Sequence, residues 1–569
     1  MSIQSLLPRW VLQCIQHPRT ALSDIPAGLM MAVLVIPQSL GYATLAGLPP
    51  IMGLYAAITP VIVYAWIGAS SVSSIGPVAI TAIMTASALS GYATGSLQYI
   101  SLAIVLAFMV GGILLIAGLI RLGWIMQFVS RGVASGFISG AAVLIIFSQL
   151  KHIIGISLNT DSLIDLFLSI YTSTQPIHLP TALLGISATL LFMISRYGES
   201  IIWGWLPAQW RSFGNRFFVI LIVAISIWLG HHIGFEQMQI RLLQPLPTGL
   251  PKITLPNFSA TTLLDLLPSA LLIALIAFIS SSTISAQQAR IRGESYDANK
   301  ELDGLGLANI TSSLFGGFAV SGGISRTSLN LSVGAKTPLA SIICALGVLL
   351  ILLVLGQYLT GLPYAILAAV IISSVISMID TKTLINAWQL DKSDAICFGI
   401  TFFTSILFGL NSGLVVGLLA SFAMMIYRTH QVRIAIVGRV GDSEHFRNIE
   451  RHTATTFDGL LLLRIDESLY FGNAQSVHAN LMRLSDDTNI HDIVLIMTAV
   501  NHIDLSAQEM LCAFNQSCIK RGQHLHLAEV KGPMMDILKP SPVIENLSGC
   551  IFLSANQAVQ SLTKPSTDL

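Results

Sequence analysis

The sequence predicts an all-α polytopic membrane domain followed by an α/β domain in the cytosol, and three observations carry that expectation. Residues 24–428 form a succession of apolar stretches near the roughly 20 residues needed to cross a bilayer. Only 10% of the 569 residues are charged while 53% are hydrophobic, and the mean hydropathy is +0.75. An ordinary soluble domain carries about 25% charge. After Arg428 the pattern changes: charge rises in GRVGDSEHFRNIERH, and apolar runs such as LLLLRID and DIVLIMTAV read as buried strands between amphipathic helices. One large soluble core is excluded, because single cores stop growing near roughly 250–300 residues. The chain therefore divides into an N-terminal segment (1–23), a membrane domain (24–428), a linker (429–436) and the α/β domain (437–569).

The first residues, MSIQSLLPRWVLQCIQHPRT, lack a long apolar stretch ending in a small-residue cleavage site. They predict a short amphipathic helix lying on the membrane face. Fourteen apolar stretches follow, at 25–46, 51–68, 77–90, 99–120, 132–150, 179–195, 216–231, 262–288, 302–316, 326–335, 338–357, 363–379, 394–410 and 412–427. The third and tenth are too short to cross as full helices. Each follows a Gly/Ser-rich segment, ASSVSSIGP before the third and FGGFAVSGGIS before the tenth. They hold matching positions in two seven-span halves, and paired interruptions of this kind mark an inverted-repeat carrier with its solute site between them.

Basic residues in short loops set the orientation. Arg9, Arg19, Arg121, Arg131, Arg196, Arg211, Arg216, Arg290, Arg292, Lys300, Lys382, Lys392 and Arg428 fall on one side of the fourteen-span arrangement. Lys151, Arg241 and Lys252 fall on the other. The asymmetry places both termini in the cytoplasm of a multi-pass protein of the cell's inner (plasma) membrane.

A solute site inside hydrocarbon is built from backbone dipoles and a few polar side chains, because an unbalanced charge there is costly. A short helix that starts at mid-membrane aims unsatisfied N–H groups and the positive end of its dipole at its surroundings. Two such starts facing each other make an anion pocket. The third stretch begins at Gly76, Pro77 and Val78, with the proline at a favoured first-turn position, and the tenth begins at Ser325, Arg326 and Thr327. Arg326 reads as a permanent positive charge in the anion field; the alternative is an arginine that snorkels or pairs with a distant carboxylate. Gln38 and Tyr42 are four apart on the first span and share a helical face. The glutamine needs a partner there, either a ligand oxygen or another helix.

Other classes of function are disfavoured. A net charge of +1 argues against a nucleic-acid binder, and Cys14, Cys344, Cys397, Cys512, Cys518 and Cys550 are scattered without metal or disulfide spacing. No HExxH, Walker or GxSxG motif suggests an enzyme. No metal and no cofactor are expected.

Three blocks carry a resemblance: DIPAGLMMAVLVIPQSLGYATLAGLPPIMGLY with IGASSVSSIGPVAI, YDANKELDGLGLANITSSLFGGFAVSGGISRTSLNLSVGAKTPLA, and LPYAILAAVII. They resemble the SulP, or sulfate-permease, family of anion transporters, over nearly the whole chain. The resemblance implies the seven-plus-seven inverted repeat shared with uracil permeases, a core and a gate domain, and an elevator-like shift. It implies an anion site at Gln38, Tyr42, Gly76–Val78, Ser325 and Arg326. The tail, through LLLLRIDESLYFGNA and TAVNHIDLSAQEML, resembles a STAS domain. Ser506, two after Asp504, stands where bacterial antagonists of that fold are phosphorylated; it also reads as a capping serine at a helix start. The tail points to homodimer contact and to cytosolic regulators rather than to chemistry.

One departure from the family concerns coupling. Many bacterial members have a carboxylate in the eighth span, implying proton or sodium coupling. This sequence reads AFISSSTISAQQAR there, with Ser280 in the aligned position. The hydroxyls of Ser280, Ser281 and Thr283 remain as contacts for solute or sodium, or as small residues for helix packing. Glu301, in NKELDGLG, reads as a structural cap or gate residue. The expected function is secondary transport or exchange of a small inorganic anion, sulfate first, then bicarbonate or chloride, then dicarboxylates. A membrane sensor that no longer transports and an anion channel are the alternatives.

Overall fold

The computed structural model describes residues 8–156, 168–169, 171–172, 176–197, 208–245, 249–256 and 258–563. The chain forms two compact units, Met1–Ser421 and Phe422–Leu569.

In the first unit helix follows apolar sequence. The order is α1 (Arg9–Gln16), α2 (Pro18–Leu45), α3 (Pro50–Ala56), α4 (Thr59–Ile67), β1 (Ile75–Gly76), α5 (Ala79–Ala88), α6 (Leu97–Leu119), α7 (Arg131–Ile154), α8 (Leu179–Tyr197) and α9 (Ala208–Leu229). It continues with α10 (Ala260–Arg292), α11 (Ala298–Leu314), β2 (Ser321–Gly322), α12 (Ile324–Ser332), α13 (Leu339–Leu355), α14 (Tyr364–Val375), α15 (Thr381–Leu390), α16 (Lys392–Phe408) and α17 (Leu410–His430). Among the described residues ten helical segments have the length and apolarity to cross a bilayer. Helices α5, α11, α12 and α16 are shorter, at 10, 17, 9 and 17 residues. The sequence pattern did not anticipate α15 as a separate helix.

Small residues let these helices approach closely, as they must where the solvent is lipid. A methyl group added at Gly111 of α6 would lie 2.7 Å from the Gly306 carbonyl oxygen of α11. One at Gly136 of α7 would lie 2.5 Å from the Phe398 carbonyl of α16, and one at Gly28 of α2 would lie 2.6 Å from the Ala340 carbonyl of α13. Met31, Leu40, Leu54, Ile75, Met84, Leu106, Phe137 and Phe318 are fully buried in the shared core.

The feature that positions the site is a crossing of two short extended segments. Strand β1 pairs antiparallel with β2, Ile75 opposite Gly322 and Gly76 opposite Ser321, and all four residues are buried. The glycines make this possible, because a Cβ at Gly76 would meet the Arg326 guanidinium and one at Gly322 would meet Ser281. Helix α5 leaves the crossing from one strand and α12 from the other.

In the second unit, β3 (Ile434–Arg439), β4 (Phe446–Asn448), β5 (Leu460–Ile465), β6 (Asp492–Ile496), β7 (His524–Ala528) and β8 (Ile551–Phe552) form one sheet in the order β4-β3-β5-β6-β7-β8. Strands β5 to β8 are parallel and β3 and β4 run antiparallel to their neighbours. Helices α18 (Ala474–Leu484), α19 (Leu505–Lys520), α20 (Gly532–Leu538), α21 (Pro542–Glu545) and α22 (Ala555–Leu562) complete it. Continuous apolar runs such as Leu460–Leu463 and Ile493–Ile496 are buried on both faces, as a parallel sheet requires.

Candidate functional site

The two half-helices start beside each other, and neither N-cap residue closes its start with a side-chain hydrogen bond. The N-cap residues are Val78 for α5 and Gly323 for α12, both extended and without a capping hydrogen bond. Helix α5 begins at Ala79, so Pro77 lies before the helix rather than in its first turn, a correction to the sequence reading. Pro77 instead carries a carbonyl that accepts from Arg326 Nη1 at 3.2 Å. Helix α12 begins one residue earlier than expected, which puts Arg326 in its first turn. Ser325 is in the same turn; its side chain lies outside the described residues.

Arg326 is 2% exposed, and among the described residues its Nε and Nη2 have no hydrogen-bond partner. Among the described residues no carboxylate lies within ion-pair distance of it. Its guanidinium rests on the bare face of Gly76: a methyl group built there would come within 2.7 Å of Cζ and 2.8 Å of Nη2, and closer still to Nη1. Gly76 also has φ +151°, a backbone state that side chains disfavour. The absence of a side chain at Gly76 is what lets the cation of one half-helix reach the start of the other.

On α2, Gln38 Nε2 donates to Ser374 Oγ of α14 at 3.2 Å, so the helix-to-helix bond considered for it is present. Its Oε1 is buried and, among the described residues, unpartnered. One turn on, Tyr42 is buried and its phenol lies within electrostatic reach of Arg326 and Ser374. Gln38, Tyr42, Gly76, Pro77, Val78 and Arg326 are thus brought to one region by α2, α5 and α12.

Thr327 has a different placement from a free site hydroxyl: its Oγ1 accepts from Ser74 N at 3.1 Å. With Asn330 Nδ2 donating to Val72 O at 2.9 Å, it braces α12 against the segment before β1. Neither brace was visible in sequence, because the partners are more than 250 residues apart.

The serines of α10 divide. Ser280 Oγ donates to Gly322 O at 3.2 Å, on β2. Ser281 Oγ donates to Glu301 Oε1. Thr283 is exposed on another face and its hydroxyl donates to Ile279 O of its own helix, so it does not join the other two, contrary to expectation. Glu301 is not a helix cap. The cap of α11 is Asp297, which accepts from Asn299 N and Lys300 N. Glu301 is wholly buried and accepts from Tyr64 Oη at 2.8 Å, from Ser285 Oγ at 3.4 Å and from Ser281. In the second unit Asp504, not Ser506, caps α19: Asp504 Oδ1 accepts from Ala507 N at 2.9 Å. Ser506 is exposed in the first turn.

Chemically, the crossing offers uncapped helix starts, one guanidinium with two unspent donor positions and one unpaired amide oxygen. Donors dominate, and donors with a fixed positive charge recognise anions. Among the described residues no group of three or more His, Cys, Asp or Glu side chains is arranged to hold a metal.

Comparison with known proteins agrees with this architecture. Residues 22–401 match the Sulfate permease family and residues 451–558 match the STAS domain. The chain is 34% identical over 555 residues to "Sulfate transporter 4.1, chloroplastic" of Arabidopsis thaliana, covering 94% of this chain and 79% of that protein. The fold is similar to the murine anion transporter Slc26a9, with a TM-score of 0.87 at 20% identity, covering 98% of this chain and 94% of that one. It is also similar to the transmembrane domain of the cyanobacterial bicarbonate transporter BicA, with a TM-score of 0.60 at 20% identity, covering 71% of this chain and 98% of that one. By the extent of the family match and the STAS match behind it, this chain belongs to the sulfate permease family and is a multi-pass membrane protein, not an enzyme, with a C-terminal STAS domain.

Proposed function

We propose that the protein carries a small inorganic anion, sulfate first, across the membrane, and that the anion is held at the β1–β2 crossing between the starts of α5 and α12. The observation that carries this reading is Arg326: a buried guanidinium without a carboxylate partner and with two unspent donor positions. An unpaired buried charge costs several kcal/mol, and a bound anion removes that cost. Gln38, Tyr42, Gly76, Pro77, Val78 and Ser325 complete the first layer around the anion, and Thr327 holds the layer together. The sulfate transporters among the relatives favour sulfate; bicarbonate, chloride and dicarboxylates share its charge chemistry and follow it.

With α3–α4 and α14–α15 each counted as one stretch, the fourteen helical stretches form two inverted halves of seven, α2–α9 and α10–α17, with α5 and α12 in matching places, and the halves shift past each other in an elevator-type motion. Both termini face the cytoplasm of the plasma membrane. The carrier works as a homodimer, and the STAS domain binds cytosolic regulators through the face bearing Asp504 and Ser506. Uptake of a dianion against an inside-negative potential costs about 2.3 kcal/mol per charge per 100 mV. With Ser280 in place of a coupling carboxylate, exchange of one anion for another drives transport better than sodium or proton symport.

Tracer uptake into proteoliposomes tests the reading. Saturable sulfate uptake that requires an exchangeable anion inside supports it; no saturable uptake of sulfate, bicarbonate, chloride or fumarate under any sodium or pH gradient refutes it.

A further inference from the structure

Five arginines of the STAS domain gather around one groove. Arg433 precedes β3, Arg447 lies on β4, Arg451 on the turn after it, Arg464 on β5 and Arg483 near the end of α18, and together they line a cavity of about 850 Å³. The acidic residues of its lining are Glu450 and Asp466. Asp466 is spent, because Arg464 Nε and Nη2 donate to its two carboxylate oxygens at 2.5 and 3.1 Å. Five guanidinium groups against two carboxylates leave the lining with a net charge of +3, His452 being counted as neutral. Lys564 and Asp568, the charged side chains of this unit beyond the described residues, sum to zero.

The backbone sets these side chains in place. Ile449 N donates to Ile436 O at 3.2 Å, and Asn448 holds the turn after β4: its carbonyl accepts from Arg451 N and His452 N, and its Oδ1 accepts from Glu450 N at 2.8 Å. Arg433 O accepts from Asp466 N at 3.1 Å, which fixes the start of β3 beside the end of β5. Among the described residues the side chains of Arg433, Arg447 and Arg451 make neither a hydrogen bond nor an ion pair. A solvated surface intersperses charges of both signs, whereas here like charges surround a concavity whose walls focus their field. The floor is apolar, from Val432, Ile434, Ile436 and Leu484. Guanidinium groups hold phosphate through paired N–H donors, and the volume falls in the range of sites for organic ligands rather than for a bare inorganic ion.

We infer that this groove binds a phosphate-bearing organic ligand with two or more negative charges, its phosphate held by Arg433, Arg447 and Arg451 over the apolar floor. Two sources present that chemistry, a soluble phosphorylated metabolite and a phospholipid headgroup. The headgroup is within reach because Arg433 lies three residues beyond α17, a span of at most about 11 Å. The end of α17 is tied to this domain by His430 Nδ1, bonded to Gly472 O at 2.9 Å, and by Tyr470 Oη, which donates to Thr429 O at 3.2 Å. Neither source involves Arg326.

Full-length protein carrying Arg326→Gln, which takes the proposed transport site out of the measurement, is tested in two arms. In phosphatidylcholine nanodiscs radiolabelled tripolyphosphate binds saturably. Arg433→Gln, Arg447→Gln and Arg451→Gln each weaken that binding about 3-fold, and the three together weaken it roughly 30-fold. Lys539→Gln, an exposed cation of the same domain outside the groove, leaves it unchanged. His452→Glu, on the exposed rim, serves where the triple variant does not fold, and it weakens binding several-fold. In the second arm the protein is mixed in detergent with radiolabelled phosphatidylinositol 4-phosphate and purified again. Lipid retained by the parent and lost from the triple variant assigns the groove to a headgroup; tripolyphosphate binding without such retention assigns it to a soluble ligand. Absence of saturable binding in both arms overturns the inference, as does binding indifferent to the three arginines or equally sensitive to Lys539→Gln.

Discussion

Replacing Gly76 with alanine moves the guanidinium of Arg326 without removing its charge, and so separates position from charge. The added methyl would sit 2.7 Å from Cζ and 2.8 Å from Nη2, against the roughly 3.5–4.0 Å of a comfortable contact. The tip of a flexible side chain gives way more easily than backbone, so Arg326 retreats by about 1 Å and its bond to Pro77 O, 3.2 Å in the native chain, is lost. For an anion about 4 Å from the guanidinium, at an effective dielectric of about 20, that retreat weakens the attraction by about 0.8 kcal/mol per anion charge. For sulfate the loss is about 1.6 kcal/mol, roughly a 10- to 20-fold rise in Kd. Chloride, with one charge, loses roughly 4-fold. The strained φ of Gly76 adds a stability cost of about 1–3 kcal/mol, so thermal unfolding is followed in parallel. The assay is competition of sulfate and chloride for the purified protein, with Gly76→Ala beside wild type. A folded variant with unchanged affinities, or an equal loss for both anions, refutes the reasoning.

Further outcomes follow from the same contacts. Arg326→Met removes a buried charge with two unspent donors, so the empty protein unfolds at a higher temperature by an amount corresponding to about 1–4 kcal/mol, while added sulfate no longer raises that temperature; a less stable variant contradicts this. Gly322→Ala places a methyl 2.9 Å from the Ser281 Cα, a backbone atom that cannot step aside, and destabilises by about 1–3 kcal/mol, measured as loss of folded protein after mild heating. Glu301→Gln turns one of two acceptor oxygens among hydroxyl donors into a donor NH2, and costs about 1–3 kcal/mol of stability; Tyr64→Phe costs less, because it removes only one of those donors. In the STAS domain burial pushes the Cys518 thiol up to about 11, so about 1 in 1,000 of these groups is thiolate at pH 8. A maleimide therefore labels exposed Cys550 and spares buried Cys518 until the domain is unfolded, and mass spectrometry of the labelled peptides reads the difference.

What was legible in the sequence was whatever depends on near neighbours. Apolar length places α2, α6, α7, α10 and α13, and the Gly/Ser-rich segments mark the breaks before α5 and α12. Arg326 was recognisable because a basic residue inside an apolar stretch is rare. What depends on distant partners was not legible. Nothing near Gln38 announces Ser374, which is 336 residues away, and nothing near Thr327 announces Ser74. Glu301 illustrates the error this produces. An acidic residue in a helix's first turn ordinarily faces solvent and favours the dipole, but the fold buries this one against Tyr64 of α4 and the serines of α10. Asp297, four residues earlier, already serves as the cap. Pro77 was misplaced for a related reason: favoured first-turn geometry is a local preference, whereas the β1–β2 pairing holds the chain extended through Gly76 and delays the helix to Ala79.

The central claim is that a small oxyanion rests at the β1–β2 crossing, on Arg326 and between two uncapped helix starts. A structure determined in the presence of selenate, with the anomalous signal of selenium to locate it, puts this to the test most directly. A peak within hydrogen-bond reach of Arg326 Nε or Nη2, beside the first turns of α5 and α12, is the predicted result. Selenate bound elsewhere at concentrations that inhibit sulfate uptake, with the space around Arg326 empty, would contradict the account.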